Sequence, residues 1–256
     1  RARVRPEALE ALPVEPRLLG SGTKTEKGEG RGYLTAVVYM APAREAFSAG
    51  DRRTLCAFAS SSCEGVCLGR ESGRMVFHSA RLSRLWKAAL YMGARHLWRE
   101  LLEAEIRAFE RAAARVGLKP AVRIDGSSDI GEGPRFAQAF SGVQFYDYTK
   151  NPARALQNAR GERTNYHLTF SYSGRNAVDA ERVLASGGNV AVVFGTARGV
   201  ALPETWSGHP TLDADQTDLR FLDPRGHVAA LRFKAARAPR AALAAAIASG
   251  FVIAVD

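Results

Sequence analysis

Ala121-Val122-Arg123-Ile124-Asp125-Gly126-Ser127-Ser128-Asp129 reads as a short apolar strand that runs straight into a turn of small and acidic residues. The same order recurs three more times. Val143-Gln-Phe-Tyr146 leads into Asp147-Tyr148-Thr149-Lys150, Tyr166-His-Leu-Thr-Phe170 into Ser171-Tyr172-Ser173-Gly174, and Asn189-Val-Ala-Val-Val-Phe194 into Gly195-Thr196. Helix-compatible stretches, Asn151–Ala159 and Ala177–Ser186, fill the gaps, the second closed by Gly187-Gly188. Strand, polar strand end, helix, strand is the rhythm of βα units. It predicts an α/β fold with mainly parallel strands, a partial or complete (β/α) TIM-like barrel. In such a barrel the polar residues after each strand converge on one rim, where chemistry is done.

Upstream, Tyr33–Ala41 is β-rich and ends at Pro42. Arg81–Val116 then carries Leu82, Leu85, Trp86, Leu97, Leu101, Ile106, Phe109 and Ala113 at helical intervals, with Gly93 either dividing the run or sitting inside it, and Gly117 and Pro120 as the stop. Downstream, Asp218–Phe233 reads as strand, turn and strand, Ala235–Ser249 as an Ala-rich helix, and Phe251–Val255 as a closing strand. Residues 1–32, rich in Pro, Gly and charge, form an irregular arm, and 33–256 one domain. Within the arm, Gly20-Ser-Gly-Thr-Lys24 lacks the ending of a phosphate loop.

All three cysteines of the 256 residues fall between 56 and 67, as Cys56-x6-Cys63-x3-Cys67, in a Ser-rich loop at the exit of the first long strand. An odd number of cysteines in an otherwise Cys-free chain argues against a disulfide-stapled secreted fold. Three thiolates so close in sequence suit a metal or a cluster. Inert thiols are the plain alternative, although a Ser-rich loop is a poor place to bury three of them.

A three-cysteine loop after the first barrel strand, then a helix, then a second strand ending in a small-and-acidic motif, resembles the radical S-adenosylmethionine enzymes. The series Arg123–Ile130, Phe145–Pro152 and His167–Ser173 looks still more like uncharacterised phage- and plasmid-encoded proteins that form a divergent branch of that group. The resemblance spans about residues 33–233. It implies a [4Fe-4S] cluster held by Cys56, Cys63 and Cys67, the fourth iron binding S-adenosylmethionine. It also implies cofactor contacts from Asp125, Ser127, Ser128, Asp129, Ser171 and Ser173, and a reacting centre faced by Asp147, Tyr148 and Lys150. The family's commonest spacing is C-x3-C-x2-C with an aromatic residue before the last cysteine; here the gaps are six and three and the residue is Val66.

Two other chemistries fit the same residues. Zinc takes three cysteines and a histidine, for which His78 is nearest in sequence, and would serve an enzyme modifying nucleic-acid bases. Alternatively the chain is a non-enzymatic nucleic-acid-binding accessory protein of a mobile element. Asp-Gly and Ser-Gly pairs also make turns, and Asp or Ser at a strand exit also caps the next helix. The charge of +10, from 36 basic and 26 acidic side chains, favours a polyanionic partner, and the basic excess concentrates between Arg81 and Lys119. No stretch approaches the eighteen apolar residues of a membrane span, and the first residues lack a secretory signal's apolar run, so a cytoplasmic protein without a membrane partner is expected.

Overall fold

The structure, a computed structural model, describes residues 17–20, 27–47, 51, 53–71, 73–161, 165–234 and 238–255. Much of the expected N-terminal arm, residues 1–16 and 21–26, lies outside the described residues. The fold is mixed α/β, with a mostly parallel sheet of ten strands in the order β1 (Leu19–Gly20), β2 (Tyr33–Val38), β3 (Lys119–Arg123), β4 (Gln144–Thr149), β5 (Tyr166–Ser171), β6 (Asn189–Phe194), β9 (Val228–Arg232), β8 (His209–Asp213) and β7 (Thr205–Trp206), with β10 (Val252–Ile253) pairing with β6. The order does not return on itself. The sheet is therefore open, which rules out the complete barrel among the two expected forms.

The chain divides into two compact units: residues up to Ala57 with Cys67–Phe145, and Phe58–Val66 with Tyr146–Asp256. In the first unit, β2 (Tyr33–Val38) pairs in parallel with β3 (Lys119–Arg123), and β3 in parallel with the start of β4 (Gln144–Thr149). The arm is not wholly irregular, because β1 (Leu19–Gly20) adds antiparallel to β2. Short helices α1 (Ser61–Gly65) and α2 (Leu68–Glu71) follow the cysteine loop, the first belonging to the second unit. Helices α3 (His78–Gly93) and α4 (Arg95–Arg115) then return the chain to β3. The long helical run is thus two helices. Ala94, at φ −147° and ψ 62°, leaves the helical region and makes the break just after Gly93. The apolar stripes bury Leu85, Trp86, Trp98, Leu102 and Ile106 in the same unit as Val37, Val122 and Phe136. Helix α5 (Gly133–Ala139) leads from β3 to β4.

In the second unit, β5 (Tyr166–Ser171), β6 (Asn189–Phe194) and β9 (Val228–Arg232) are parallel neighbours. Helices α6 (Pro152–Ala159) and α7 (Ala177–Ala185) cover one face, packing Ala155, Ala180, Val183 and Leu184 on Phe170, Val190, Val192 and Phe194. Asn151 starts α6 by accepting from the amides of Ala153 and Arg154 at 3.0 and 3.3 Å. After β6 come β7 (Thr205–Trp206) and β8 (His209–Asp213), a hairpin the sequence reading did not anticipate. Its two turn residues, Ser207 and Gly208, have φ of 51° and 77°, the left-handed pair that matches strand twist. The strand expected from Asp218 is instead a 3-10 turn at Arg220–Leu222, because Arg220 turns its guanidinium back to the Thr217 carbonyl at 2.6 Å and pairs with Asp223. Helix α8 (Arg240–Ala248) and β10 (Val252–Ile253) close the chain, β10 pairing in parallel with the far half of β6.

Candidate functional site at the strand exits

In the first unit the exits of β2 and β3 are locked together. The Gly126 amide donates to the Val38 carbonyl at 3.1 Å, and Ser127 Oγ donates to the Met40 carbonyl at 2.6 Å. Only glycine fits at 126. A Cβ there would stand 2.5 Å from Val37 Cγ1 and 2.7 Å from the Val38 oxygen. The cysteine loop folds back over this junction. The Asp129 amide donates to the Leu55 carbonyl at 2.8 Å, Cys56 Sγ lies 4.0 Å from the Ser127 carbonyl, and the Ala43 amide donates to that sulfur at 3.3 Å. Cys67 is near Ser127 as well. A Cβ on Gly69 would be 2.9 Å from Ser127 Cβ and 3.5 Å from Cys67 Sγ. Two of the three cysteines therefore lie near Ser127, past the carboxyl end of β3.

The Asp-Gly-Ser-Ser-Asp motif divides into parts. Asp125 is buried, and its carboxylate accepts from Ser128 Oγ at 2.8 Å and from the amides of Ile130 and Gly131 at 2.9 and 3.1 Å. Asp125 and Ser128 thereby shape the loop, the turn-making role open to such residues, while Ser127 and Asp129 remain half-exposed. Arg84 is a buried cation in electrostatic reach of Glu45 and Cys67. Its Nη1 donates to the Met75 carbonyl at 2.9 Å, and burial holds its basicity below the ordinary arginine range. Just past the motif, buried Glu132 takes both arms of Arg99, at 2.7 and 3.0 Å, and a bond from Tyr91. Burial and that carboxylate push the Tyr91 phenol up to about 12.

In the second unit the exits are also populated. Cys63 lies on α1, where its amide donates to Ser60 Oγ at 3.2 Å. This helix docks on the end of α8. Ser62 Oγ and Ser249 Oγ are 2.8 Å apart, and Val66 packs with Ala246 and Val252. The loop after β5 meets the same place, since a Cβ on Gly174 would lie 2.2 Å from the Ser249 oxygen. Lys150, the residue after β4, holds its ammonium 6.0 Å from the centre of the Phe251 ring. Ser173 is buried, its amide bonded to Asn176 Oδ1 at 2.8 Å, and Ser171 ends β5 with its carbonyl held by Asn176 Nδ2 at 3.1 Å. Just past β6, the buried Thr196 hydroxyl has no hydrogen-bond partner among the described residues.

Strand β4 is longer than expected, which separates the three residues assigned to the reacting centre. Asp147 and Tyr148 lie inside the strand and point to opposite faces. Tyr148 packs on Ala191, Ala214 and Ala229, on the face away from the helices. Asp147 is fully buried and accepts from Tyr166 OH at 3.3 Å, Tyr166 in turn accepting from Arg154 of α6 at 3.2 Å. Its surroundings are those of a helix-side structural carboxylate. Only Lys150 stands at the exit.

The sequence reading missed a polar cluster beside the other end of β5. Arg220, buried, pairs with Asp223 at 3.2 Å, and His167 bonds Thr169 at 3.2 Å through Nε2 and Oγ1. Burial, aided by Arg220 and Arg225, drives His167 down to about 4, and burial lifts Asp223 to about 6. Asp223 follows a Leu and precedes a Pro, so it carries only a turn signal in the sequence.

None of the cysteines is in a disulfide, and all three are half-buried. Among the described residues, no three His, Cys, Asp or Glu side chains stand close enough to hold a metal ion. His78, the expected zinc partner, is exposed at the first turn of α3. No described helix is long and apolar enough to cross a membrane.

These features define an α/β protein whose mostly parallel strands deliver cysteines, hydroxyls and a lysine at their carboxyl ends. Residues 17–254 match the pattern of the Gene product 88 family, and the chain belongs to that family. It is a phage-type family, in keeping with the phage and plasmid relatives expected from the motifs. No curated protein and no solved structure matches the chain.

Proposed function

We propose that this chain is an iron–sulfur enzyme of the radical S-adenosylmethionine type, working at the carboxyl ends of a partial (β/α) barrel. The observation that carries the reading is the junction at Ser127. Cys56 and Cys67 lie near a small-and-acidic strand exit, at the end that serves chemistry in parallel βα folds. The strand order supports it too, because β2, β3, β4, β5, β6 and β9 follow one another across the sheet in sequence order, the single winding of a barrel.

Three thiolates are the donor set that such a cluster takes, although the described arrangement does not bring three of them within reach of one ion. Cys56, Cys63 and Cys67 would hold three irons of a [4Fe-4S] cluster. When bound, the cluster and S-adenosylmethionine supply the electron and the radical that abstracts hydrogen from the substrate. The chain's own residues do the rest. Asp125 and Ser128 fix the loop that presents Ser127 and Asp129. Gly69 and Gly126 permit the close backbone approach. Lys150 places a cation at the exit of β4, and Ser171, Ser173 and Thr196 add polar groups after β5 and β6. Asp147 supports β4 and α6 from the helix side, so we assign it no contact with substrate.

The test is anaerobic purification with quantification of iron, sulfide and zinc, and visible and paramagnetic resonance spectra with and without S-adenosylmethionine. The expected result is close to four irons per chain, lost in each of the three Cys→Ala variants. Stoichiometric zinc with no reconstitutable cluster would overturn the reading.

A further inference from the structure

The outer face of α4 carries arginines at four-residue intervals, Arg107, Arg111 and Arg115, and Lys119 continues the series at the start of β3. All four are exposed. Helix geometry raises each arginine about 6 Å beyond the last, with only a small rotation around the axis. The dipole of the helix accounts for a cation in its last turn, here Arg115, but not for two more on the turns before it.

Of the four acids of this helix, exposed Glu100 lies two turns before Arg107, and the other three make contacts of their own. Glu105 accepts from the amides of Leu18 and Leu19, both at 2.7 Å. Glu110 rests against Gly142, where an added Cβ would meet its Oε1 at 2.6 Å. Glu103 is shared between Arg107 and Arg135 at 3.9 and 3.7 Å, so its single charge offsets only part of the two. Neither Arg111 nor Arg115 has an ion pair among the described residues. Arg107 lies over the Phe140 ring at 5.0 Å and Lys119 near the Tyr33 ring at 6.0 Å, contacts that orient a cation without cancelling its charge. Exposed Arg31 extends the row, because the Lys119 amide bonds the Gly32 carbonyl at 3.0 Å. Exposed Glu29 is the acid nearest that end of the row in sequence.

We infer that this row is a docking surface for a phosphodiester backbone, and that the partner of the chain is a nucleic acid. A line of evenly spaced cations, of which Arg111 and Arg115 have no ion pair among the described residues, matches a line of phosphates. The inference concerns binding alone and stands whether or not the cysteines hold a cluster.

The test is fluorescence anisotropy with labelled 20-mers of single-stranded DNA, duplex DNA and RNA, from 50 to 300 mM salt. The probes distinguish which nucleic acid is bound. Phosphatidylglycerol vesicles serve as a competing polyanion, and R111E/R115E is compared with R182E, a charge reversal on α7. Both arginines are solvent-facing, and folding is checked by the unfolding midpoint and by circular dichroism. Wild type is expected to bind at low salt, and R111E/R115E to bind at least tenfold more weakly. The slope of log affinity against log salt should fall by about 1.4 for a single strand or about 1.8 for a duplex. R182E should change neither. Absence of binding by wild type at 50 mM salt, an unaltered slope in R111E/R115E, or tighter binding to the vesicles than to every oligonucleotide would overturn the inference.

Discussion

Lys87 gives the sharpest test of the first unit's energetics. It is 7% exposed, donates from Nζ to the Leu18 carbonyl at 3.0 Å, and is faced by the Glu105 carboxylate. Burial outweighs that attraction and brings the amine down from 10.5 to about 8. A lowered value for a cation means that, between pH 8 and 10.5, the unfolded chain still binds a proton that the folded chain has released. Stability must then rise with pH across that window. The shift from 10.5 to about 8 corresponds to roughly 3 kcal/mol between the two ends. Lys87→Met removes the buried ammonium but orphans the Leu18 carbonyl, which costs about 1–3 kcal/mol. The two nearly offset at pH 7, so the variant should be close to wild type or slightly more stable there. At pH 10.5 only the carbonyl cost is left, and the variant should be clearly the less stable. Denaturant midpoints at pH 7, 8, 9 and 10 measure this, with the difference between the proteins cancelling groups that titrate alike in both. A difference that stays flat with pH would refute the assignment of a buried amine.

Gly126→Ala should destabilise the protein by about 1–3 kcal/mol, the usual cost of forcing a methyl into packed surroundings, and should lower iron content with it. Unfolding midpoints and metal analysis on one preparation check both effects. In the Arg220 cluster, the neutral His167 makes stability fall as pH drops from 6.5 through about 4. The raised Asp223 works in the opposite sense, adding stability as pH drops through about 6 toward 3.8. The charged neighbours are Arg220 and Arg225 for the histidine, and Arg220, His227 and Asp218 for the aspartate. Asp223→Asn should therefore steepen acid unfolding between pH 7 and 4.5, and His167→Asn should flatten it. Equal slopes in the two variants would show that these groups do not titrate as their burial implies.

The strand exits after β3, β5 and β6 were legible because each is a local pattern, an apolar run broken by Gly, Ser or Asp. The exit of β4 was misplaced for a physical reason. An aspartate is a poor strand residue and ordinarily ends one, and the bond from Tyr166, nineteen residues on, helps Asp147 stay inside. The β7–β8 hairpin was missed because its first strand has two residues and its signal is the single pair Ser207-Gly208. Buried charges left no trace at all. Lys87, Arg84, Glu132 and Arg220 read as surface residues until the partners that hold them are known, and those partners lie on other elements or in backbone carbonyls.

That pattern bears on the site itself. Sequence spacing placed three thiols together, whereas the fold gives Cys56 and Cys67 to one compact unit and Cys63 to the other, on a helix anchored through Ser62 and Ser249. Cluster loading would stabilise the folded chain, since a ligand bound only by the native state adds its binding free energy to that state. Removing Cys63 should therefore lower stability only in cluster-loaded protein. Ser62→Ala, which leaves every thiol in place, should loosen α1 and weaken loading by a smaller factor. Iron retention during dilution into chelator separates the two, and equal retention in wild type and Ser62→Ala would mean that the anchor on α8 has no part in holding the third thiol.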